Sequence, residues 1–109
     1  MSQRFELRYI DKAAEKEFLA LDGSLREIVA KGLARLCVHG DEIGKPLSGS
    51  LRGCRELKFR AEGIRVIYRI VEGCVEIIEV IAIGKRDKGR VFEDAERRIS
   101  QRDDEVLSD

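Results

Sequence analysis

Residues 51–92 read LRGCRELKFRAEGIRVIYRIVEGCVEIIEVIAIGKRDKGRVF, and their periodicity decides the fold. Two alternating runs flank Glu62-Gly63, a third run rich in β-branched residues follows Glu72-Gly73, and Gly84-Lys85-Arg86 closes the stretch. Alternation at period two sends successive side chains to opposite faces of a sheet. Leu57 and Phe59 therefore share an apolar face with Val66, Tyr68 and Ile70. A two-residue turn at Glu62-Gly63 would set Arg60 opposite Arg65, Lys58 opposite Ile67 and Glu56 opposite Arg69. The outer face then carries Glu56, Lys58, Arg60, Arg65 and Arg69. Like charges directly opposite one another destabilise a sheet, so an anion between Arg60 and Arg65 would relieve that pair. Residues 75–83, VEIIEVIAI, are apolar at nearly every position, as expected of a central strand covered on both sides.

Upstream, residues 5–10 alternate Phe5, Leu7 and Tyr9 with Glu6, Arg8 and Ile10, which predicts a short strand. Asp11 is placed to cap a helix to about Leu21, with Ala14, Phe18 and Leu21 on one stripe. Asp22-Gly23 breaks that helix. Ser24 and Glu27 match a capping box for a second helix to about His39, and two helices joined so tightly should form an antiparallel hairpin. Residues 40–53, GDEIGKPLSGSLRG, hold four glycines and the single proline and predict a loop, whose Lys45 and Arg52 are candidate binding surface. Downstream, Val91, Ala95 and Ile99 predict a helix from Arg90 to about Ser100. The expectation is an α+β fold of order β-α-α-β-β-β-α. A helical hairpin packs on one face of a small, mainly antiparallel sheet, the opposite face stays partly open, and a short helix ends the chain.

Bulk properties bound the rest. The 109 residues, 43% hydrophobic, suffice for one modest core, here residues 1–100, followed by an acidic tail over 101–109 expected to be disordered. The formal net charge of zero hides an asymmetry: the last seven residues carry four acids and no base, so residues 1–102 hold 21 basic against 17 acidic side chains, a net of +4. Cys37, Cys54 and Cys74 are odd in number and lack zinc-site spacing, which predicts reduced thiols in a cytoplasmic protein with no metal. No stretch has signal-peptide or membrane-span character. His39 stands alone at a helix end with no partner in sequence that would give it a catalytic role.

The order of elements, with LRGCRELKFRAEGIRVIYRIVEG, then VIAIGKRDKGRVF, then AERRI, resembles the RelE/ParE superfamily of type II toxins, and within it the RelE messenger-RNA endonuclease branch. The resemblance spans roughly residues 5–99 and rests on G-x-R-x-x-Y and the strand-ending G-K-R standing in order. It implies a toxin that enters the ribosomal A site and cleaves messenger RNA, blocking translation and arresting growth. In that cleavage the 2′-hydroxyl attacks the adjacent phosphate and leaves a 2′,3′-cyclic phosphate and a 5′-hydroxyl. It also implies inhibition by a cognate antitoxin, with operator DNA reached only through that antitoxin, and no cofactor.

Cleavage of this kind needs a base at the 2′-oxygen, cations around the phosphate and an acid at the leaving oxygen. By resemblance Lys58 serves positioning and proton transfer, Arg65 clamps the phosphate and Arg86 stabilises the transition state or supplies the proton. Arg60, Lys85 and Phe92 are candidate substrate contacts. Two positions depart from the family: Glu56 stands for a lysine and Phe92 for a tyrosine. Phe92 can still stack on a base. Glu56 is either a carboxylate base or the cross-strand partner of Arg69. These departures keep two other readings open on the same scaffold: a ParE-like gyrase-inhibiting toxin, which needs no nuclease residues, and a non-catalytic antitoxin-binding or co-repressor module, favoured by the near-neutral charge.

Overall fold

The computed structural model describes the backbone of residues 4–85 and 89–107 and the side chains of these as far as residue 103. The elements are β1 (Glu6–Tyr9), α1 (Lys12–Leu19), α2 (Gly23–His39), β2 (Lys45–Pro46), a single 3-10 turn (Gly49–Leu51), β3 (Cys54–Phe59), β4 (Ile64–Val71), β5 (Ile77–Lys85) and α3 (Arg90–Leu107). The strands form one sheet in the order β1-β5-β4-β3-β2, antiparallel except that β1 runs parallel to β5. This is the expected α+β order with one addition. β2 lies inside the expected loop, pairing Lys45 with Glu56 and Pro46 with Arg55. On an edge strand the missing proline N–H leaves no ladder bond unmade.

The helix starts follow from side-chain chemistry. Asp11 accepts from the Ala14 amide at 2.9 Å and caps α1 as its position predicts. The cap of α2 is Asp22 rather than Ser24: Asp22 accepts the Leu25 amide at 3.0 Å and, in part through that bond, its carboxyl is held below the usual range. Ser24 donates to the same carboxylate. The helix begins two residues earlier than expected, at Gly23, which passes the capping position to the aspartate.

One face of the sheet, bearing Leu57, Phe59, Ile64, Val66, Tyr68, Ile78, Val80 and Ile83, packs on Val29, Leu33 and Leu36 of α2 and on Phe5. The opposite face is only partly open, as expected: α3 covers much of it, while Lys58 and Arg65 still reach solvent there. Ile67, Ile81, Ala82 and Cys54 pack against Val91 and Ala95 of α3, Leu51 of the 3-10 turn and Ala14 of α1. A bulge makes this possible: Ile67 pairs with Ala82 but Tyr68 pairs with Val80, so Ile81 is extra in β5 and the strand's alternation changes phase there. Ile81 and Ala82 therefore point to the same side. Gly84, beyond the bulge, lies under Val91, where an added Cβ would sit 3.2 Å from the valine Cβ.

The bulge also leaves backbone groups of β5 facing the place where β1 has already ended. Glu17 and Arg98 take them: Glu17 Oε1 accepts the Ile83 N–H at 3.1 Å, and Arg98 donates to the Ile81 carbonyl at 3.0 Å. The two side chains are paired to each other, 2.7 and 3.1 Å through both arginine terminal nitrogens. Farther along, Arg69 binds the buried Glu79 at 2.7 Å and Asp103 of α3 at 3.7 Å, and Arg8 reaches Glu79 at 3.2 Å. Arg102 reaches the Ile10 carbonyl at 3.5 Å. With Arg102 and Asp103 tied down, α3 continues to Leu107, and the expected tail is helical from 101 to 107.

Candidate ribonuclease site

The β3–β4 hairpin builds the cationic surface, in a register two residues removed from the expected one. Lys58 pairs with Arg65, Glu56 with Ile67 and Cys54 with Arg69. The connection is a four-residue loop, Arg60 to Gly63, in which the Gly63 amide donates to the Arg60 carbonyl at 3.3 Å and Gly63 takes φ 68°. That left-handed backbone is what glycine permits, and it closes the longer loop instead of forming a two-residue turn. A slip of two preserves which face each residue occupies, so the cations stay on the outer face. Their neighbours change: Arg60 moves out to the exposed loop, and Lys58 takes its place opposite Arg65.

Arg65 sits at the centre of what results. It lies between Lys58 on β3 and Gly84 on β5, its Nε is 3.0 Å from Glu56 Oε2, and its guanidinium carbon stands 4.9 Å from the centre of the Phe92 ring. Lys58 Nζ is 3.7 Å from the other oxygen of Glu56. The Lys58 and Arg65 side chains are 23% and 18% exposed, while that of Glu56 is 4%. Two cations therefore reach the surface over a buried acid. The Arg65–Glu56 approach is an ion pair without hydrogen-bond alignment: Arg65 Nε and Glu56 Oε2 are both buried, and among the described residues neither has a hydrogen-bond partner.

Sequence reasoning joined Glu56 to Arg69. In the structure Glu56 serves Lys58 and Arg65, and Arg69 belongs to Glu79 and Asp103. Phe92 lies against Arg65, at the first turn of α3. Lys85 ends β5 exposed and opposite Ile64, the neighbour of Arg65; Arg86 lies outside the described residues. Lys45 faces Glu56 across the β2–β3 edge, which brings this candidate loop cation to the same surface. Cys37 and Cys54 are buried, and burial raises both thiols above their usual pKa; Cys74 is exposed. The His39 ring contacts the carboxylate of Glu42 at 3.2 Å. Among the described residues no group of three or more His, Cys, Asp or Glu could hold a metal ion, and no helix is long and apolar enough to cross a membrane.

The interior residues that sequence reasoning missed are Glu79 and the Arg98–Glu17 pair. Arg98 was detectable, because Val91, Ala95 and Arg98 stand at i, i+4 and i+7 and so share the buried stripe of α3. An arginine on that stripe requires an acid opposite.

No family model matches the chain. A RelE-like toxin protein of Escherichia coli is 30% identical over 96 residues, covering 88% of this chain and 98% of the relative. The mRNA interferase toxin RelE of Escherichia coli is 32% identical over 92 residues, covering 82% of this chain and 92% of the relative. Among solved structures, a mutant of Escherichia coli toxin RelE in the free state superposes with a TM-score of 0.75 at 28% identity, over 88% of this chain and 98% of that one. The mutant toxin in complex with an antitoxin RelBc peptide gives 0.67 at 27% identity, over 84% and 94%. The toxin–antitoxin complex RelBE2 of Mycobacterium tuberculosis shares the fold, with a TM-score of 0.65 at 18% identity over 79% and 95%. Matched at this identity along nearly the whole length of a RelE-like relative, and folded as RelE is, the chain belongs to the RelE family of type II toxin–antitoxin toxins.

Proposed function

We propose that the protein is a cytoplasmic, ribosome-dependent messenger-RNA endonuclease acting in the ribosomal A site and held inactive by a cognate antitoxin. The observation that carries this reading is the cross-strand pairing of Lys58 with Arg65 on the outer face, beside the end of β5. Two cations there can bind one phosphate, as an internal attack requires. The 2′-oxygen loses its proton to a base and bonds to phosphorus, the bond to the 5′-oxygen breaks, and that oxygen takes up a proton. Arg65 binds the non-bridging oxygens as negative charge grows on them. Lys58 positions the nucleotide and moves a proton, and Arg86 supplies the further cation or the acid. Arg60 in the hairpin loop and Lys85 at the end of β5 add positive charge around that surface. Phe92 offers a stacking surface at the same place.

The partner is an acidic antitoxin segment meeting Arg60, Arg65 or Arg86, so complex formation should weaken as salt rises. An affinity independent of ionic strength would count against that charge pairing. Expression of the chain alone, with transcript ends mapped during growth arrest, tests the activity. Cleaved messages bearing 2′,3′-cyclic phosphate ends are expected. Intact messages with altered DNA supercoiling would instead favour gyrase inhibition, and harmless expression would favour a non-catalytic module.

A further inference from the structure

Glu56 occupies a position at which its own chemistry excludes the obvious role. A general base must come within about 3 Å of the proton it takes, directly or through one water. The Glu56 side chain is 4% exposed, and its two oxygens are turned to Lys58 at 3.7 Å and Arg65 at 3.0 Å. It lies beneath the cations that a phosphate would meet first. An acid buried there is costly to desolvate and is tolerated because two bases flank it.

The same contacts restrain Arg65. Glu56 engages Nε from below, Phe92 lies against the guanidinium, and Lys58 stands opposite on the neighbouring strand. Among the described residues neither terminal nitrogen of Arg65 has a partner. Those two nitrogens form the fork that binds two oxygens of a phosphate side by side. Without an acid below, the guanidinium would be free to rotate, and it would be out of place as charge grows on the phosphate oxygens.

The geometry points to Glu56 as a positioning residue: it acts through Arg65, fixing the guanidinium as a preformed fork for the phosphate of an RNA linkage. This assignment rests on the nuclease reading for its substrate and on the ion-pair geometry for its mechanism.

A double-mutant cycle tests it in a cleavage assay on ribosomes programmed with a defined message. Glu56→Gln removes the charge at nearly constant shape. It should lower kcat on the order of 10- to 10²-fold, the penalty expected of a slightly misplaced group, with a smaller change in KM. The shape of the pH–rate profile should stay the same. Adding Glu56→Gln to Arg65→Ala should cost nothing more, since the group it positions is already gone. Independent, multiplying losses overturn the assignment, as do loss of the acidic limb of the profile or turnover at or above the wild-type level. Should Glu56→Gln fail to fold, Glu56→Asp, which draws the charge back by one methylene, enters the same cycle with the same expectations.

A second measurement separates this inference from the nuclease reading. In 15N-labelled protein without RNA, 15N relaxation of the Arg65 Nε–Hε group should report restricted motion, and greater motion in the glutamine or aspartate variant. If the wild type cleaves nothing, the nuclease reading fails and this signal still judges the positioning. Unrestricted motion in the wild type, or no change in the variant, overturns it.

Discussion

Arg98 of α3 grips Glu17 of α1 at 2.7 and 3.1 Å, and through that pair two helices close the edge of β5 that β1 leaves uncovered. The Arg98 side chain is 6% exposed, and its pKa is raised above the ordinary value chiefly by the hydrogen bond to Glu17. Removing the arginine strands a half-buried carboxylate and the Ile81 carbonyl together. Breaking a fully buried pair costs about 3–5 kcal/mol, and the 27% exposure of the Glu17 side chain lowers that. Arg98→Met should therefore destabilise by about 2–4 kcal/mol, lowering Tm by about 10 °C or more in a domain of this size. Thermal unfolding checks this; a change below about 0.5 kcal/mol, the range of an ordinary surface substitution, would show that α3 is held by its apolar stripe alone.

The loop after α2 is tied to the sheet by Tyr68, whose hydroxyl meets the carbonyls of Gly40 and Ile43 at 2.9 and 2.7 Å. Gly44 approaches the same ring with φ 84°, and an added Cβ would fall on the tyrosine hydroxyl. Gly44→Ala thus combines a left-handed backbone with a steric conflict in a buried place. A loss of about 2–4 kcal/mol is expected from the two together, measured by denaturant unfolding. Gly49→Ala is the control: its φ of 67° carries the backbone strain alone, with nothing near the added Cβ, and should cost less.

Burial pushes the Tyr68 phenol up to about 12. The unfolded chain ionises near the ordinary value of about 10, so between the two pH values the unfolded state has released a proton that the folded state retains. Stability linked to Tyr68 is complete below pH ~10 and falls as pH rises through ~12, by roughly 2–3 kcal/mol in all. Tyr68→Phe should be the less stable protein at pH 7, where the two carbonyls lose their donor. Its disadvantage should shrink as the pH is raised from about 9 to 12, because the variant lacks this titration. Unfolding measured across that range gives the test; a constant difference would contradict the burial of the phenol.

The faces of the hairpin were legible because period-two alternation survives a slip of two residues: Leu57, Phe59, Val66 and Tyr68 point inward in either register. The register was not, since Glu62-Gly63 suits a two-residue turn as well as the last half of the Arg60–Gly63 loop. That ambiguity exchanged Arg65 for Arg69 as the partner of Glu56. The Ile81 bulge gave no sign in a run apolar at nearly every position, and with it went the knowledge that α3 covers much of the outer face. The cations of the candidate site were readable as residue types at their spacing. The buried acid beneath them depends on a pairing that only the folded hairpin determines.

The most direct test of the central claim uses purified ribosomes carrying a defined message, the wild-type protein and Arg65→Ala, with RNA ends determined chemically. The expected result is cleavage within the A-site codon, leaving a 2′,3′-cyclic phosphate and a 5′-hydroxyl, and a loss on the order of 10²–10³ in rate when Arg65 is removed. Uncut messages in the presence of the wild type, or undiminished cleavage by Arg65→Ala, would contradict it.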